Sequence, residues 1–173
     1  MGEKYELWDA YDGDLNPLGF DLVRGEPMDE GVFHVVCEVI VRHADGDYLL
    51  MKRHPEKPVF PGYWELTAGG SALKGETPLD CISRELSEET GIVCRDFTLT
   101  DRLNVRWSDF GAIFFEYFAV TDSPKDSVTL QDGETVDYRW TDKATLEEMF
   151  EKGLVVPSLR KRHVKFFASP LYK

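Results

Sequence analysis

The sequence is poor in cysteine, lacks long apolar runs, and has no excess of positive charge. Its three cysteines, Cys37, Cys81 and Cys94, are odd in number and contain no Cys-x-x-Cys pair, which argues against a disulfide framework and a zinc knuckle. No stretch approaches the ~18–20 consecutive apolar residues of a membrane-spanning helix. Residues 1–6 are polar and acidic, unlike a signal peptide. These absences predict a cytoplasmic protein with reduced thiols and no membrane contact.

Charge of one sign dominates instead. The chain has 32 aspartates and glutamates against 20 lysines and arginines, a net charge of −12. Such a chain repels polyanions, so neither a nucleic-acid polymer nor an anionic membrane is expected as a partner. An anionic ligand would need a divalent cation to screen the repulsion. We interpret the short basic run at residues 160–163 as a solvated helix face.

Length and patterning predict a single domain of mixed α/β class. The 173 residues are 42% apolar and 30% charged, as in a soluble globular protein. Apolar alternation and turn residues predict two hairpins, one pairing Tyr5–Tyr11 with Leu18–Arg24 and the other pairing Phe33–Arg42 with Tyr48–Arg53. Further strands are predicted near Phe97–Trp107, Ala112–Val120 and Val136–Thr141. Helices are predicted over Pro78–Thr90, Lys143–Glu151 and Ser158–Ala168. Because strands and helices do not alternate regularly, we expect a mixed sheet covered by helices. Residues 1–31 form a β-hairpin extension in this scheme, 32–150 the core and 151–173 a C-terminal helix.

The helix over Pro78–Thr90 has clear start and stop signals. Thr77 suits its cap and Pro78 its first position, while Gly91 suits the left-handed residue that ends a helix. The apolar stripe is expected at Leu79, Ile82 and Leu86.

The same helix stacks like charges on one face. Glu85, Glu88 and Glu89 lie at i, i+3 and i+4, an arrangement that costs roughly 0.2–0.5 kcal/mol per pair. Arg84 lies beside them and Glu76 just before the helix. All-oxygen ligand sets suit hard cations such as Mg²⁺ and Mn²⁺. On spacing alone, a solvated acidic face is an equal alternative.

The residues around this helix resemble the Nudix box. The run Gly70-x5-Glu76-x7-Arg84-Glu85-Leu86-x-Glu88-Glu89-x-Gly91-Ile92 matches every fixed position of that pattern. Outside the box, Lys52-Arg53, Phe60–Trp64 and Tyr138–Trp140 are similar to family features. The resemblance spans residues 32–150 and implies an α/β/α sandwich with a mixed sheet.

The family resemblance also implies a reaction and a set of roles. Water would attack phosphorus in a nucleoside diphosphate derivative, with Mg²⁺ or Mn²⁺ bridging the phosphate oxygens. Metal ligands are implied at Glu85, Glu88 and Glu89, with Glu76 as a supporting acid of the metal site. Arg84 would orient the carboxylates, and Gly70 and Gly91 would shape the two loops of the box.

The proton acceptor and the substrate contacts stay open. Glu88 and Glu89 are candidate bases within the box, and Glu134 is a third candidate that is equally well explained as a solvated loop acid. Arg53 is a candidate phosphate contact, with surface pairing as the alternative. Trp64 is a candidate for stacking on a base, although core packing is the commoner role of a large aromatic; the same holds for Trp107 and Phe110. The expected partner is a small-molecule diphosphate, and homodimers are common in the family.

Three segments in the N-terminal third, Glu6–Asp12, Gly25–Pro27 and Phe33–His34, resemble the Nudix branch close to isopentenyl-diphosphate isomerase. Those isomerases need a cysteine acid–base, whereas this chain has Ala68-Gly69-Gly70 in that stretch. Because these residues cannot move a proton, we predict a hydrolase and no isomerase. His34 resembles an isomerase metal ligand, but without partner histidines a packed residue is the simpler interpretation. A non-catalytic sensor is a third hypothesis, disfavoured by the intact box.

Overall fold

The structure is a computed structural model that describes residues 5–173. Residues 1–4, part of the polar start of the chain, lie outside the described residues. The strands are β1 Leu7–Tyr11, β2 Pro17–Val23, β3 His34–His43, β4 Tyr48–Arg53, β5 Trp64–Leu66, β6 Ala68–Ser71, β7 Thr98–Trp107, β8 Phe110–Thr121 and β9 Thr135–Thr141. The helices are α1 Pro78–Thr90, α2 Lys143–Glu151, α3 Leu159–Arg162 and α4 Val164–Phe167, with a 3-10 turn at Lys125–Ser127. No described helix is long and apolar enough to cross a membrane.

The N-terminal hairpin forms a sheet of its own. Strand β1 pairs antiparallel with β2, as the alternating pattern predicted. In the connecting loop the Asp12 carboxylate accepts hydrogen bonds from the backbone N–H groups of Asp14 and Asn16, which is the local bonding that favours Asp in turns. Trp8 and Leu22 are buried here in a small cluster with Met28 and other apolar residues.

The main sheet is mixed, as expected. Its central order is β5-β4-β3-β8-β7, and β6 adds to β3 while β9 adds to β4. Strands β3 and β8 run parallel, and the remaining pairs are antiparallel. The predicted hairpin of β3 and β4 is confirmed. Strands β5 and β6 were not predicted, because runs of three and four residues are too short to show a period.

Alternation along β3 divides the molecule into layers. Val35, Cys37, Val39 and Val41 face helix α1 in one apolar cluster, and Ile40 faces α2, α3 and α4 in another. Successive strand side chains point to opposite faces, so a strand with helices on both sides is apolar on both. The α/β/α sandwich is therefore confirmed.

Helix α1 has the ends that the sequence predicted. The Thr77 hydroxyl accepts a hydrogen bond from the backbone of Asp80, and Gly91 is left-handed at φ 72°. Cys81, Ile82 and Leu86 are buried against the sheet. The expected burial of Leu79 was wrong, since it is 52% exposed. It lies in the first turn, where Cys81 rather than Leu79 faces the core.

The predicted C-terminal helix over Ser158–Ala168 was also wrong as a single element. It consists of α3 and α4, which are separated at His163 with ψ 31°. The imidazole of His163 is 1% exposed and lies between two carboxylates of the sheet. Drawing this side chain inward takes its backbone out of helical geometry, so the basic run at residues 160–163 is not a solvated face throughout.

Candidate active site

Strand β6 and helix α1 bring the box residues together. A Cβ atom built on Gly70 would overlap the carboxylate of Glu85. A larger residue at this position would therefore displace the Glu85 carboxylate. Because β6 pairs with the central strand β3, and a Cβ at Gly70 of β6 would meet the Glu85 carboxylate, the helix carboxylates lie beside the main sheet.

Arg84 is the hub of the acidic face. Its Nε and NH2 groups donate to the two oxygens of Glu76 at 2.6 and 2.9 Å, and NH1 donates to Glu85 at 2.8 Å and to Glu88 at 3.1 Å. The hydrogen bonds from Arg84 hold the pKa of Glu76 below its usual range. Both carboxylate oxygens of Glu76 thus engage the guanidinium, so Glu76 acts on the box through Arg84.

The three helix carboxylates differ in exposure. The side chain of Glu88 is 49% exposed and that of Glu85 is 14% exposed, while Glu89 is buried. Burial, with added repulsion from Glu65 and Glu85, raises the pKa of Glu89 well above its usual value. Burial also raises the pKa of Glu85. A carboxylate in this position carries its charge at low cost only beside a cation.

A cavity of about 760 Å³ opens in front of this face. Its wall includes Glu85, Glu88 and Glu89, together with Tyr5, Glu6, Leu7, Arg24, Arg53, Lys57, Glu65, Gly69, Gly70, Ser71, Leu73, Lys74, Arg84, Gln131, Glu134 and Thr135. The N-terminal hairpin supplies part of this wall through Leu7 of β1 and Arg24 after β2, a contribution that the sequence did not indicate. Carboxylates and cations thus face one another across a space large enough for a nucleotide.

Two predicted residues outside the box reach this cavity in ion pairs. Arg53 donates from Nε to the carbonyl of Val59 at 3.0 Å and from NH1 to Glu65 at 2.8 Å. Glu134 pairs with Lys57 across the cavity mouth. Both predicted residues therefore line the same cavity as the box carboxylates.

Trp64 is not among the cavity-lining residues. Its ring lies near two cations instead, with Lys52 at 5.7 Å and Arg139 at 5.6 Å from the ring. Both distances are typical of cation–π contacts. Trp64 is also partly buried against the apolar cluster on the side of α2, α3 and α4, and such packing was the alternative to base stacking. The rings of Trp107 and Phe110 are tilted against each other with centroids 5.8 Å apart, and Trp107 is 47% exposed.

Glu65 is a cavity residue that sequence reasoning missed. It lies on β5, and burial raises its pKa. It is also the neighbouring charge that most raises the pKa of Glu89. The available signal was an acid between the large apolar residues Trp64 and Leu66 in a segment that leads into the box.

His34 has the packed role that was the simpler interpretation. Its Nδ1 is 2.9 Å from the carbonyl of Gly111 and its Nε2 is 3.1 Å from the hydroxyl of Ser71, and its ring stacks on Trp8 at 4.1 Å. Burial lowers the pKa of His34 to about 4. A neutral imidazole with both nitrogens engaged is part of the interior.

The stretch that would carry isomerase chemistry has no acid–base group. Ala68 and Gly69 form β6 with Gly70, and a Cβ built on Gly69 would lie 2.7 Å from the carbonyl oxygen of Cys37. The backbone packing leaves no room for a cysteine at Gly69. All three cysteines of the chain are free thiols, and Cys37 and Cys81 are buried.

Comparisons with known proteins agree with this geometry. The NUDIX domain model matches residues 32–162. An uncharacterized Nudix hydrolase of Listeria monocytogenes, lmo0368, is 35% identical over 154 residues, which cover 88% of this chain and 89% of the relative. An isopentenyl-diphosphate Delta-isomerase of Corynebacterium diphtheriae is 36% identical over 59 residues, covering 34% of this chain and 32% of that protein. The crystal structure of DR0079 from Deinococcus radiodurans superposes with a TM-score of 0.72 at 17% identity, covering 91% of this chain and 97% of that chain.

Proposed function

The chain belongs to the Nudix hydrolase family, and from this premise we propose that it hydrolyses a diphosphate linkage in a nucleoside diphosphate derivative with the help of Mg²⁺ or Mn²⁺. The observation that carries the proposal is the set of helix carboxylates, Glu85, Glu88 and Glu89, on the wall of one large cavity. A solvated acidic face would not bury Glu89 or place Gly70 against Glu85. Burying Glu85 and Glu89 beside like charges is costly unless a cation binds there.

The donor chemistry supports a hard divalent cation. Glu85, Glu88 and Glu89 offer carboxylate oxygens only, as Mg²⁺ and Mn²⁺ prefer. Bound there, the ion would polarise the phosphorus–oxygen bonds and lower the pKa of the attacking water. Arg84 and Glu76 keep the helix carboxylates in place through the bonds described above, which makes them positioning residues.

A proton acceptor is needed for the attacking water. Glu88 is the most exposed of the helix carboxylates, and Glu134 lies across the cavity, where its partner is Lys57. Either carboxylate serves as the base when it is not occupied by a cation. Comparison of Glu88→Gln with Glu134→Gln separates them, because only loss of the base steepens the dependence of the rate on pH.

The cationic part of the wall binds the substrate's phosphates. Arg53 has two nitrogens fixed by Glu65 and Val59, which orients its guanidinium. A pre-organised guanidinium is well suited to bidentate contact with phosphate. Lys57 and Lys74 add further positive charge to the same wall.

The setting and the assembly are further parts of the proposal. Free, buried thiols support a reducing compartment such as the cytoplasm. The net charge of −12 supports a small metal-screened diphosphate, rather than a nucleic-acid polymer, as the partner. A homodimer is proposed from the habit of the family, and sedimentation velocity tests it.

A panel of diphosphates tests the activity. Nucleoside di- and triphosphates, nucleotide sugars, dinucleoside polyphosphates and non-nucleotide diphosphates are incubated with Mg²⁺ or Mn²⁺, and products are identified by mass. We expect cleavage between phosphorus atoms with oxygen from solvent water in one product. Full turnover after metal stripping and in excess EDTA would contradict the mechanism. Absence of turnover on every compound would favour a sensor.

Isomerisation of isopentenyl diphosphate is the second candidate, favoured by the partial match to an isomerase. The expected outcome is no dimethylallyl diphosphate, since Ala68 and Gly69 cannot donate or accept a proton at carbon. Production of that compound at an enzymatic rate would overturn the assignment.

A further inference from the structure

A second group of metal-ligand side chains lies on the sheet face covered by the C-terminal helices. Glu38 of β3 and Glu116 of β8 are direct partners in the parallel register, so their side chains are neighbours on one face. His163 enters between α3 and α4. One donor atom from each of these three residues lies within 4.8 Å of the other two.

Two like charges on neighbouring strands inside a sheet are destabilising unless nearby positive charges compensate them. Both carboxylate oxygens of Glu38 have partners. Arg162 donates to them at 2.7 and 3.1 Å, and His163 Nε2 lies 3.0 Å from Oε2. Burial alone would raise the pKa of Glu38, yet these partners lower it to about 2. Glu38 is therefore a charged carboxylate in the folded protein.

Glu116 lacks such partners. It is 0% exposed, and neither of its carboxylate oxygens has a hydrogen-bond partner. His163 Nδ1 lies 3.2 Å from Glu116 Oε2, but it too is without a hydrogen bond. In the described part of the chain, three of the four buried side-chain atoms without a partner belong to this pair, the other being Thr135 Oγ1. Each such atom costs about 1–3 kcal/mol, which points to a missing ligand.

We propose that Glu38, Glu116 and His163 form a second metal site, separate from the box, for a divalent metal ion such as Zn²⁺ or Co²⁺. One imidazole nitrogen and two carboxylates favour Zn²⁺, Co²⁺ or Mn²⁺ over Mg²⁺, which prefers oxygen ligands and bound waters. Arg162 orients the Glu38 carboxylate, as hydrogen-bond partners of metal-binding carboxylates do. The ion ties the C-terminal segment to the two central strands.

The Glu38 side of the proposed site borders a cavity. Glu38 and Arg162 line this space of about 200 Å³, which Leu159 and Val156 also line. Glu116 and His163 are fully or almost fully buried, so an ion would approach from the side of Glu38. The site differs from the box in ligand type, in burial and in the elements that supply it, so the two are separable by metal and by mutation.

Metal retention by untagged full-length protein tests the proposal. The background is the triple variant Glu85→Gln, Glu88→Gln, Glu89→Gln, which removes the carboxylates of the box. The protein is stripped with chelator, loaded with Zn²⁺ or Co²⁺ in excess Mg²⁺, desalted, and analysed for metal by mass spectrometry and for Co²⁺ by its visible absorption. We expect one ion per chain, and a higher Tm with Zn²⁺ than without.

Two further substitutions in that background decide the outcome. Glu116→Gln keeps the shape of the side chain, and His163→Asn removes the imidazole; each should weaken Zn²⁺ binding by at least about 100-fold, more than the loss typical of an indirect partner. If Glu116→Gln misfolds, His163→Asn remains as the test. Glu151→Gln, on the exposed face of α2, is the matched control and should retain the ion. Lack of stoichiometric metal in the triple variant, or equal retention after Glu116→Gln, would overturn the proposal.

Discussion

The two acidic clusters of this molecule differ in how their carboxylates are paired and in how accessible they are to solvent. On α1, neighbouring carboxylates share one helix face, Arg84 spans three of the acids, and a large cavity admits solvent and ligand. Inside the sheet, Glu38 and Glu116 are adjacent across a parallel strand pair and are closed off by Arg162 and His163. The first cluster remains accessible and is suited to turnover. The second joins distant segments and is suited to holding the fold together.

The largest expected effect separates chemistry from stability in the box. Glu88→Gln and Glu89→Gln should each lower turnover by at least about 10²-fold, since each removes a metal or base contribution. In metal-free protein the Tm should be unchanged or slightly higher, because one like-charge repulsion is removed. Melting curves without metal and turnover on the best panel substrate measure the two effects.

Glu151→Gln on helix α2 provides the control for that experiment, since it neutralises an exposed helix acid far from the cavity. Turnover near the wild-type level in both box variants would show that the first cluster is only a solvated acidic face. It would then not differ from the second cluster in having a catalytic role.

Adjacent glycines give a second contrast. An added Cβ at Gly70 meets the end of the flexible Glu85 side chain, whereas at Gly69 it meets the backbone carbonyl of Cys37 at 2.7 Å. Gly70→Ala should therefore weaken Mg²⁺ binding and turnover about tenfold or more, on the scale of a disturbed ligand environment, with little change in Tm. Gly69→Ala should cost about 1–3 kcal/mol of folding free energy, as overpacking does. Urea unfolding and Mg²⁺ titration distinguish them; the reverse pattern would contradict this account of β6.

Arg84 is expected to stabilise the metal-free protein. Arg84→Gln leaves Glu76 and Glu85 without their charged donor, and hydrogen bonds to charged groups contribute about 1.5–3 kcal/mol. We expect a loss of that order in urea unfolding without metal, and a smaller loss with Mg²⁺ present. Lys152→Gln, which removes only an exposed i,i+4 pair with Glu148, should cost a few tenths of a kcal/mol. Equal losses of unfolding free energy in the two variants would show that the hydrogen bonds of Arg84 contribute no more stability than an exposed ion pair.

The interior cluster makes a prediction about pH in metal-stripped protein. Burial raises the pKa of Glu116 to about 7 from an ordinary 4.5. The folded state thus keeps this proton while the unfolded state loses it, so stability falls as the pH rises from about 4.5 to 7. Glu116→Gln removes this penalty, and its advantage over wild type should grow across that window to about 3 kcal/mol at most.

Glu38 should behave in the opposite way. Its partners lower its pKa to about 2, so it stabilises the fold above pH ~4.5, and this contribution is lost as the pH falls toward 2. Glu38→Gln should therefore destabilise the protein at neutral pH, with a difference from wild type that shrinks in acid. Urea unfolding between pH 3 and about 8 measures both variants. Parallel pH curves for the two variants would mean that they do not differ in ionisation.

The residues of the first cluster could be predicted from local spacing alone. Spacings of three and four residues place side chains on one helix face whatever the rest of the fold does, and Thr77 and Gly91 mark the ends of that helix locally. The mixed sheet followed from strand and helix order. Element ends differed by one or two residues, as for β8, because fraying and pairing decide them.

The second cluster and most of the cavity wall depend on contacts between segments that are far apart in the sequence. Glu38, Glu116 and His163 are distant in sequence, and they meet because β3 and β8 pair in one register and the chain later returns across them. The basic run at residues 160–163 looked like a solvated face, since local pattern cannot show which charges meet buried partners. The cavity positions of Glu65 and of the N-terminal hairpin residues Leu7 and Arg24 could not be predicted from the sequence for the same reason. Periodicity reports the face of an element, whereas contact between elements depends on register and on the path of the whole chain.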